Sequence, residues 1–405
     1  MHGLEGGPSR PFRPLDGRRI WFVGIGGAGL SSYAFLARAW GAEVGGWDRV
    51  ETPYLRALEG VALELGPEPV VRDGWEVVVS TAYADHAQGR PRAEFLAELV
   101  SLRRSIVVSG AHGKTTTTAM IAFVLVELGL DPAYLIGGAI PQLEGNQPGG
   151  NAAAGSGWLV VEGDESDRTI EALRPEIAVV TNVELDHHTT FASEVEVEEL
   201  FDGWLAHVPQ AVRGWELEPV AFELAVPGEH NRRNAAAALA ALELAGVARE
   251  DAEPVLARFR GAGRRFELVG ERGGVTVVDD YAHHPSEIAA TIAAARERTD
   301  GRVLVLFQPH LYSRTRHLAY EFGAALSAAD AVCVTEIYEA REQPLEGVDG
   351  KLVLDALRPG LTAGWAPMLE DAAAIVGRWA RDGDLVLTLG AGDVDRAARL
   401  ILDSA

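Results

Sequence analysis

Ser105-Ile106-Val107-Val108-Ser109-Gly110-Ala111-His112-Gly113-Lys114-Thr115-Thr116-Thr117-Thr118 decides how the chain is read. A short β-branched run stops at Gly110. An apolar helical pattern then runs through Met120, Ile121, Val124, Leu125 and Leu128 to Gly129. Strand, tight loop and helix follow in that order, and such a loop points backbone N–H groups at one place, the positive end of the helix dipole. The general phosphate loop has four residues between its glycines; here there are two, Ala111 and His112. Gly113 still permits close backbone approach, Lys114 supplies a point charge, and the Thr115 hydroxyl can hold Mg²⁺. Four successive Thr are poor helix formers, so a turn selected for stability alone would rarely look like this. The stretch predicts a site for nucleotide phosphates made by Gly110, Ala111, His112, Gly113, Lys114, Thr115 and Thr116.

Upstream, Arg19–Val23 reads as a strand. It feeds Gly24-Ile25-Gly26-Gly27-Ala28-Gly29 and a helix from Leu30 to Trp40. This is G-x-G-x-x-G between strand and helix, and a second strand ends in Asp48, where a dinucleotide-binding unit places an acid for a ribose hydroxyl. The motif predicts a diphosphate on Gly24, Gly26, Gly27 and Gly29 without naming its owner. NAD and a nucleotide-sugar are equal at this point. A further strand, Trp75–Thr81, ends in small hydroxyl residues, with Ser80 as a candidate ligand residue.

Downstream, a Gly/Asn/Pro segment from Leu143 to Gly157 reads as a loop. Trp158–Val161 then reads as a buried strand that delivers Glu162-Gly163-Asp164-Glu165-Ser166-Asp167. Four carboxylates in six residues repel each other unless cations or solvent intervene. Ile177–Asn182 is another strand, followed by Val183-Glu184-Leu185-Asp186-His187-His188. Three neighbouring strand ends thus present Lys114 with Thr115, Glu162, and His187. A hydroxyl, a carboxylate and an imidazole beside phosphates make a set for Mg²⁺ or Mn²⁺. The segment from Phe201 to Pro227 is too brief for another strand-helix-strand unit. Asn231 and Asn234 share one face near the start of the Ala-rich helix that follows. Adjacent cations at Arg264 and Arg265, in a glycine-loosened loop, ask for an anionic ligand. Asp279-Asp280-Tyr281-Ala282-His283-His284-Pro285 closes a further strand, and strands ending in Gln308, Glu336 and Gly390 alternate with helices.

Bulk properties narrow the classes. The chain has 405 residues, with Lys+Arg 36 against Asp+Glu 59 and a formal net charge of −23. That balance disfavours nucleic acid and anionic membranes as partners. One cysteine, Cys333, excludes an internal disulfide framework and a multi-cysteine zinc site. Met1–Leu15 is not apolar, so no secretory signal is expected, and no run approaches the ~20 apolar residues of a membrane span. The expected location is the cytoplasm. The fold expected is α/β in three domains: an N-terminal Rossmann-like domain (1–104), a shortened central P-loop ATPase-like sheet (105–226) and a C-terminal Rossmann-like α/β domain (227–405).

Taken together, GIGGAG (24–29), GAHGKTTTTAM (110–120), EGDESD (162–167), TNVELDHH (181–188), PGEHNRRNAAAA (227–238), GAGRRFE (261–267), DDYAHHPSE (279–287) and FQPHLYSRT (307–315) resemble the Mur ligases, ATP-dependent amide-forming enzymes of peptidoglycan assembly. The GIGGAG, EGDESD and DYAHHP forms resemble the branch acting first, and so imply UDP-N-acetylmuramate and L-alanine as substrates. The resemblance implies that Lys114 lies on the ATP phosphates, with Thr115, Glu162 and His187 about the metals. Asn231 and Asn234 would contact ATP, as would Arg265 and Asp280 from the C-terminal domain. Lys114, Glu162, His187 and Arg265 would form the catalytic set. Tyr281, His283 and Arg314 would lie near the incoming amino acid, and the first domain would hold UDP. A monomer or weak homodimer is expected.

Two features depart from the family pattern. The span from His187 to Asn231 is shorter than is usual, which implies loss of a peripheral strand-helix part of the central sheet. Leu311 stands where some relatives place Arg. Three other readings compete: a recycling ligase joining UDP-N-acetylmuramate to a preformed tripeptide, an NAD-dependent oxidoreductase, and a catalytically silent relative. The oxidoreductase reading leaves Lys114, Glu162, His187 and Arg265 without roles.

Overall fold

The computed structural model describes residues 12–58, 60–143, 150–186, 190–340 and 342–404. It is an α/β protein of three sheets, each built mainly from parallel strands. The first holds β1 (Arg19–Val23), β2 (Glu43–Asp48), β3 (Ala62–Leu65), β4 (Glu76–Val79) and β5 (Arg90–Pro91), in the order β3-β2-β1-β4-β5. The chain reverses its direction of travel between β1 and β4. The crevice that such a reversal opens lies at the carboxyl ends of the strands, where α1 (Ala28–Ala39) begins. Helix α2 (Arg92–Ser101) leads out of this sheet.

The central sheet holds β6 (Ser105–Ser109), β7 (Ala133–Leu135), β8 (Ala152–Ala154), β9 (Leu159–Glu162), β10 (Ile177–Val180) and β11 (Gln210–Arg213), ordered β11-β10-β6-β9-β7-β8. Strand β6 is buried along its whole length, so only its carboxyl end can meet a ligand. Its register sets the site: Ser109 lies beside Val180 on one flank, and Val108 beside Glu162 on the other. Helix α3 (Lys114–Glu127) starts directly above.

The structure adds to three expectations here. The segment after Phe201 is, as read, too brief for a strand-helix-strand unit, but it supplies one strand: α4 (Glu194–Leu205) leads to β11, which pairs with β10 at the sheet edge. Only Val212 of β11 is fully buried, so backbone pairing rather than an apolar pattern holds it. The Gly-rich loop is not wholly irregular either, since Ala152–Ala154 pairs antiparallel with β7; its residues 144–149 lie outside the described set. Lastly, α5 (Glu229–Leu244) and α6 (Arg249–Leu256), expected to open the third domain, pack into the core of the central one. Ala235, Ala237 and Ala238 of α5 share a buried apolar cluster with Ile106, Met120 and Val124. Alanines let α5 approach α3 closely, and burial of that face outweighs its break in sequence from the strands.

The third sheet holds β12 (Glu267–Arg272), β13 (Val275–Asp280), β14 (Val303–Phe307), β15 (Ala331–Val334), β16 (Thr362–Trp365) and β17 (Leu385–Leu389), ordered β12-β13-β17-β14-β15-β16. β12 is antiparallel; the rest are parallel. Helices α7 (Pro285–Arg296) and α8 (Tyr312–Leu326) follow β13 and β14. Parallel register places Asp280 and Phe307 on either side of Leu389, so the ends of three strands stand together. Cys333 is buried in β15, as a small apolar residue would be. Among the described residues no helix is long and apolar enough to cross a membrane.

Candidate active site

The loop after β6 has the backbone that glycine permits. Gly110 has φ +127° and Gly113 φ +79°, the latter just ahead of α3. His112 donates its backbone N–H to Asn182 Oδ1 at 2.9 Å, which ties the loop to the end of β10. Lys114 Nζ donates to Gly110 O at 2.7 Å and to Glu165 Oε1 at 2.9 Å. Burial pulls the pKa of this ammonium down, but the Glu165 and Asp164 carboxylates outweigh it and hold the group charged. Glu165, itself buried, was not singled out from sequence; it lay unmarked within the acidic run.

That run is neutralised by specific cations. Arg92, at the start of α2, meets Asp167 at 2.8 Å and Asp164 at 3.3 Å. Lys114 answers Glu165. Glu162 turns elsewhere: the Thr115 hydroxyl lies 3.1 Å from both of its carboxylate oxygens, and Gly137 N donates to it at 2.9 Å. Thr115 and Glu162 therefore form a compact all-oxygen pair, the donor set that Mg²⁺ prefers. His187, the third expected ligand, lies outside the described residues.

The first sheet's glycine loop is braced from within. Gly26 N donates to Asp48 Oδ2 at 2.7 Å, and Thr52 Oγ1 donates to Gly26 O at 2.8 Å. One Asp48 oxygen is thus bound to the loop's own amide and the other to Arg49 N. Gly24 lies against Ser80 and Tyr83; a Cβ there would come within 2.9 Å of both. Ser80 also accepts the Ala82 amide. Gly27 caps α1. Gly29 faces Arg92, a residue that sequence reasoning missed because a lone helix-start Arg carries no local pattern.

Residues from α5 and the third sheet complete the site. Asn231 and Asn234 are buried; Asn234 Nδ2 reaches Asn231 Oδ1 at 3.4 Å, and its Oδ1 crowds Gly113. Arg265 lies 3.5 Å from Glu287 and over the Tyr281 ring at 5.1 Å. Its neighbour Arg264 is a fastener instead, bonded to Asp279 and to the carbonyls of Gly390 and Gly392. Asp280 accepts Phe266 N and Ala282 N, yet burial outweighs those bonds and pushes its pKa up to about 6. Burial pushes His283 down to about 3. Arg314 forms a buried pair with Asp186. His112 lies between Glu184 and Glu287, each 3.3 Å away; burial lowers its pKa, but the two carboxylates prevail and raise it to about 10.

Two cavities meet at His112. One, of about 300 Å³, is lined by Asn231, Asn234, Asp280, Trp215 and Glu287. The other, of about 810 Å³, is lined by residues of all three sheets' lobes, among them Gly29, Lys114, Thr115, Glu162, Arg265 and Tyr281. Of the first lobe's expected residues, only Gly29 lines it. Lys114 and Arg265 thus bring cations from two lobes to one space, which suits anionic ligands.

Comparison with known proteins agrees with that geometry. Residues 108–202 match the Mur ligase middle domain, and residues 264–392 the Mur ligase glutamate ligase domain. UDP-N-acetylmuramate--L-alanine ligase of Streptomyces coelicolor is 40% identical, across 97% of this chain and 99% of the relative. Its alignment spans 465 positions against 405 residues here, so the relative carries segments that this chain lacks. The enzyme of the same name from Kineococcus radiotolerans is 42% identical, across 95% of this chain and 96% of the relative. Among solved structures, UDP-N-acetylmuramate-alanine ligase of Thermotoga maritima superposes with a TM-score of 0.76 at 27% identity, covering 95% of this chain and 98% of that one. Near-complete coverage at this identity, the two domain matches and the shared three-domain architecture establish that the chain belongs to the Mur ligase family.

Proposed function

We infer that the protein joins L-alanine to UDP-N-acetylmuramate at the expense of ATP. The observation that carries this reading is the larger cavity, where residues of three lobes face one space. A carboxylate is a poor electrophile. Its oxygen attacks the γ-phosphorus of ATP, ADP leaves, and an acyl phosphate forms. The neutral alanine amine then adds to the acyl carbon and gives up one proton, the tetrahedral anion collapses, and inorganic phosphate departs with its electron pair.

The obstacle is that two anions must be pressed together. Lys114 and Arg265 approach from different lobes and would lower that repulsion, stabilising charge on the transferring phosphoryl group. For Lys114 this means exchanging Glu165 for a phosphate oxygen. Mg²⁺ held by Thr115 and Glu162 would supply further charge neutralisation. Asn231, Asn234 and Asp280 line the smaller cavity, a suitable place for the nucleoside. The Gly24–Gly29 loop would carry the UDP diphosphate, and Tyr281, His283 and Arg314 would position the amino acid. The nucleotide substrates place the reaction in the cytoplasm.

Phosphate release tests this reading. It is expected only with ATP, UDP-N-acetylmuramate and L-alanine together. Equal release with glycine, L-serine or a free tripeptide in place of L-alanine would contradict the assigned amine.

A further inference from the structure

Three side chains at the junction of the lobes have no part in the chemistry above. His112 comes from the phosphate loop, Glu184 from the segment after β10, and His284 from the residue preceding α7. Each offers one ligand atom, and these atoms lie within 4.8 Å of one another. His112 Nε2 is 3.3 Å from Glu184 Oε2, and His284 Nδ1 is 3.7 Å from that same oxygen. Two donors on one tetrahedral zinc ion, each about 2.0–2.2 Å from it, sit roughly 3.3–3.5 Å apart. Both pairs that share the Glu184 oxygen are therefore near ligand spacing, and the two imidazole nitrogens lie within 4.8 Å of each other.

A second observation points the same way. His284 is 7% exposed, and its Nδ1 is buried with no hydrogen-bond partner. The Glu287 amide approaches the ring in capping-box fashion without closing a bond. A buried polar nitrogen left open in this way costs stability, and it faces a carboxylate that a cation could share. Ser286 Oγ donates to Glu184 Oε2 at 2.7 Å and steadies that carboxylate, as outer partners of metal ligands do. His112, Glu184 and Ser286 also line the smaller cavity, so a fourth position stays open to solvent or ligand.

We propose that His112, Glu184 and His284 form a binding site for a zinc-class divalent ion, separate from the Thr115–Glu162 pair. Two imidazoles and one carboxylate suit Zn²⁺ or Co²⁺ and not Mg²⁺, which takes oxygen ligands, and binding releases to solvent the proton that the flanking carboxylates hold on His112. The ligands come from the central lobe and from the third, so the ion ties one to the other at the nucleotide cavity.

The test is calorimetric titration of the full chain with ZnCl₂ in saturating Mg²⁺, which occupies the all-oxygen pair. Co²⁺ serves as a second probe, read by its visible ligand-field bands. The wild type binds a single equivalent, with a rise in Tm, and Co²⁺ shows tetrahedral bands. His284→Ala and Glu184→Gln each weaken binding by more than the ~10–100-fold that loss of an outer partner costs. Glu162→Gln leaves Zn²⁺ binding unchanged. Glu184→Gln keeps size and hydrogen bonding, so it decides the matter should His284→Ala fail to fold. Absence of Zn²⁺ binding in the wild type overturns the proposal, and so does binding that survives Glu184→Gln or disappears with Glu162→Gln.

Discussion

Arg314 of the third lobe and Asp186 of the central lobe form an ion pair sealed from solvent: Nη2 lies 2.9 Å from Oδ1, and the two side chains are 5% and 4% exposed. Arg314 Nε donates to the same oxygen at 3.0 Å, and Nη1 lies 3.3 Å from His310 Nδ1. The pair fixes how the third lobe sits on the strand ends that carry the phosphate loop. Removing one partner strands a buried charge, at a cost of about 3–5 kcal/mol. Arg314→Ala should lower stability by that order in denaturant titrations. Replacing both residues with Leu should recover most of the loss, since an apolar pair leaves no charge unpaired.

Gly113 and Gly129 both have positive φ, +79° and +70°, but different surroundings. A Cβ on Gly113 would come 2.4 Å from Asn234 Oδ1; on Gly129 it would meet nothing within 4 Å. Both Ala substitutions carry backbone strain of about 1–3 kcal/mol. Only Gly113→Ala pushes α3 away from α5. It should weaken ADP binding by more than about tenfold, the equivalent of 1.4 kcal/mol, whereas Gly129→Ala leaves it unchanged. Fluorescence or calorimetric titration distinguishes them.

Three buried histidines and one buried aspartate bear on acid stability, and burial holds His283 lowest, at about 3. Burial pushes His230 and His310 down to about 4, from 6.5 in the unfolded chain. Between those values the unfolded chain binds more protons, so stability falls as pH drops through the window. Asp280 runs the other way. Its pKa rises from 3.8 to about 6, so the native state keeps a proton that the unfolded chain has lost, and stability falls as pH rises through that range. Asp280→Asn removes this opposing slope. Tm measured from neutral pH downward should therefore fall more steeply in Asp280→Asn than in the wild type.

The Thr115 hydroxyl is shared between both oxygens of Glu162, the pair proposed to hold Mg²⁺. Thr115→Ser keeps it and Thr115→Val does not. In Thr115→Val the Mg²⁺ concentration needed for half-maximal rate should rise by about 10–100-fold. Thr115→Ser should stay near the wild type. Equal Mg²⁺ curves for all three proteins would remove Thr115 from the metal site.

The parts of this molecule that could be read from sequence are those with local signatures. The strand, loop and helix around Gly110–Thr118 are local, as are the apolar runs that end in Glu162, Val180 and Asp280. Strand β11 was not legible because its apolar content is one buried Val212 and its stability comes from pairing with β10. Helix α5 was placed with the wrong domain because sequence order says nothing about which sheet its alanine face covers. Glu165 and Arg92 were missed for a related reason. Their meaning lies in partners 51 and 75 residues away, Lys114 and Asp167.

Arg265 and Lys114 stand on different lobes beside one cavity, and the mechanism needs both cations on the same triphosphate. Single-turnover phosphate release with ATP, UDP-N-acetylmuramate and L-alanine measures that requirement directly when run on wild type, Lys114→Ala and Arg265→Ala. Each substitution should slow release by about 10²–10³-fold, with nucleotide still bound at saturating concentration. Release at the wild-type rate from Arg265→Ala would contradict a site completed across the lobes.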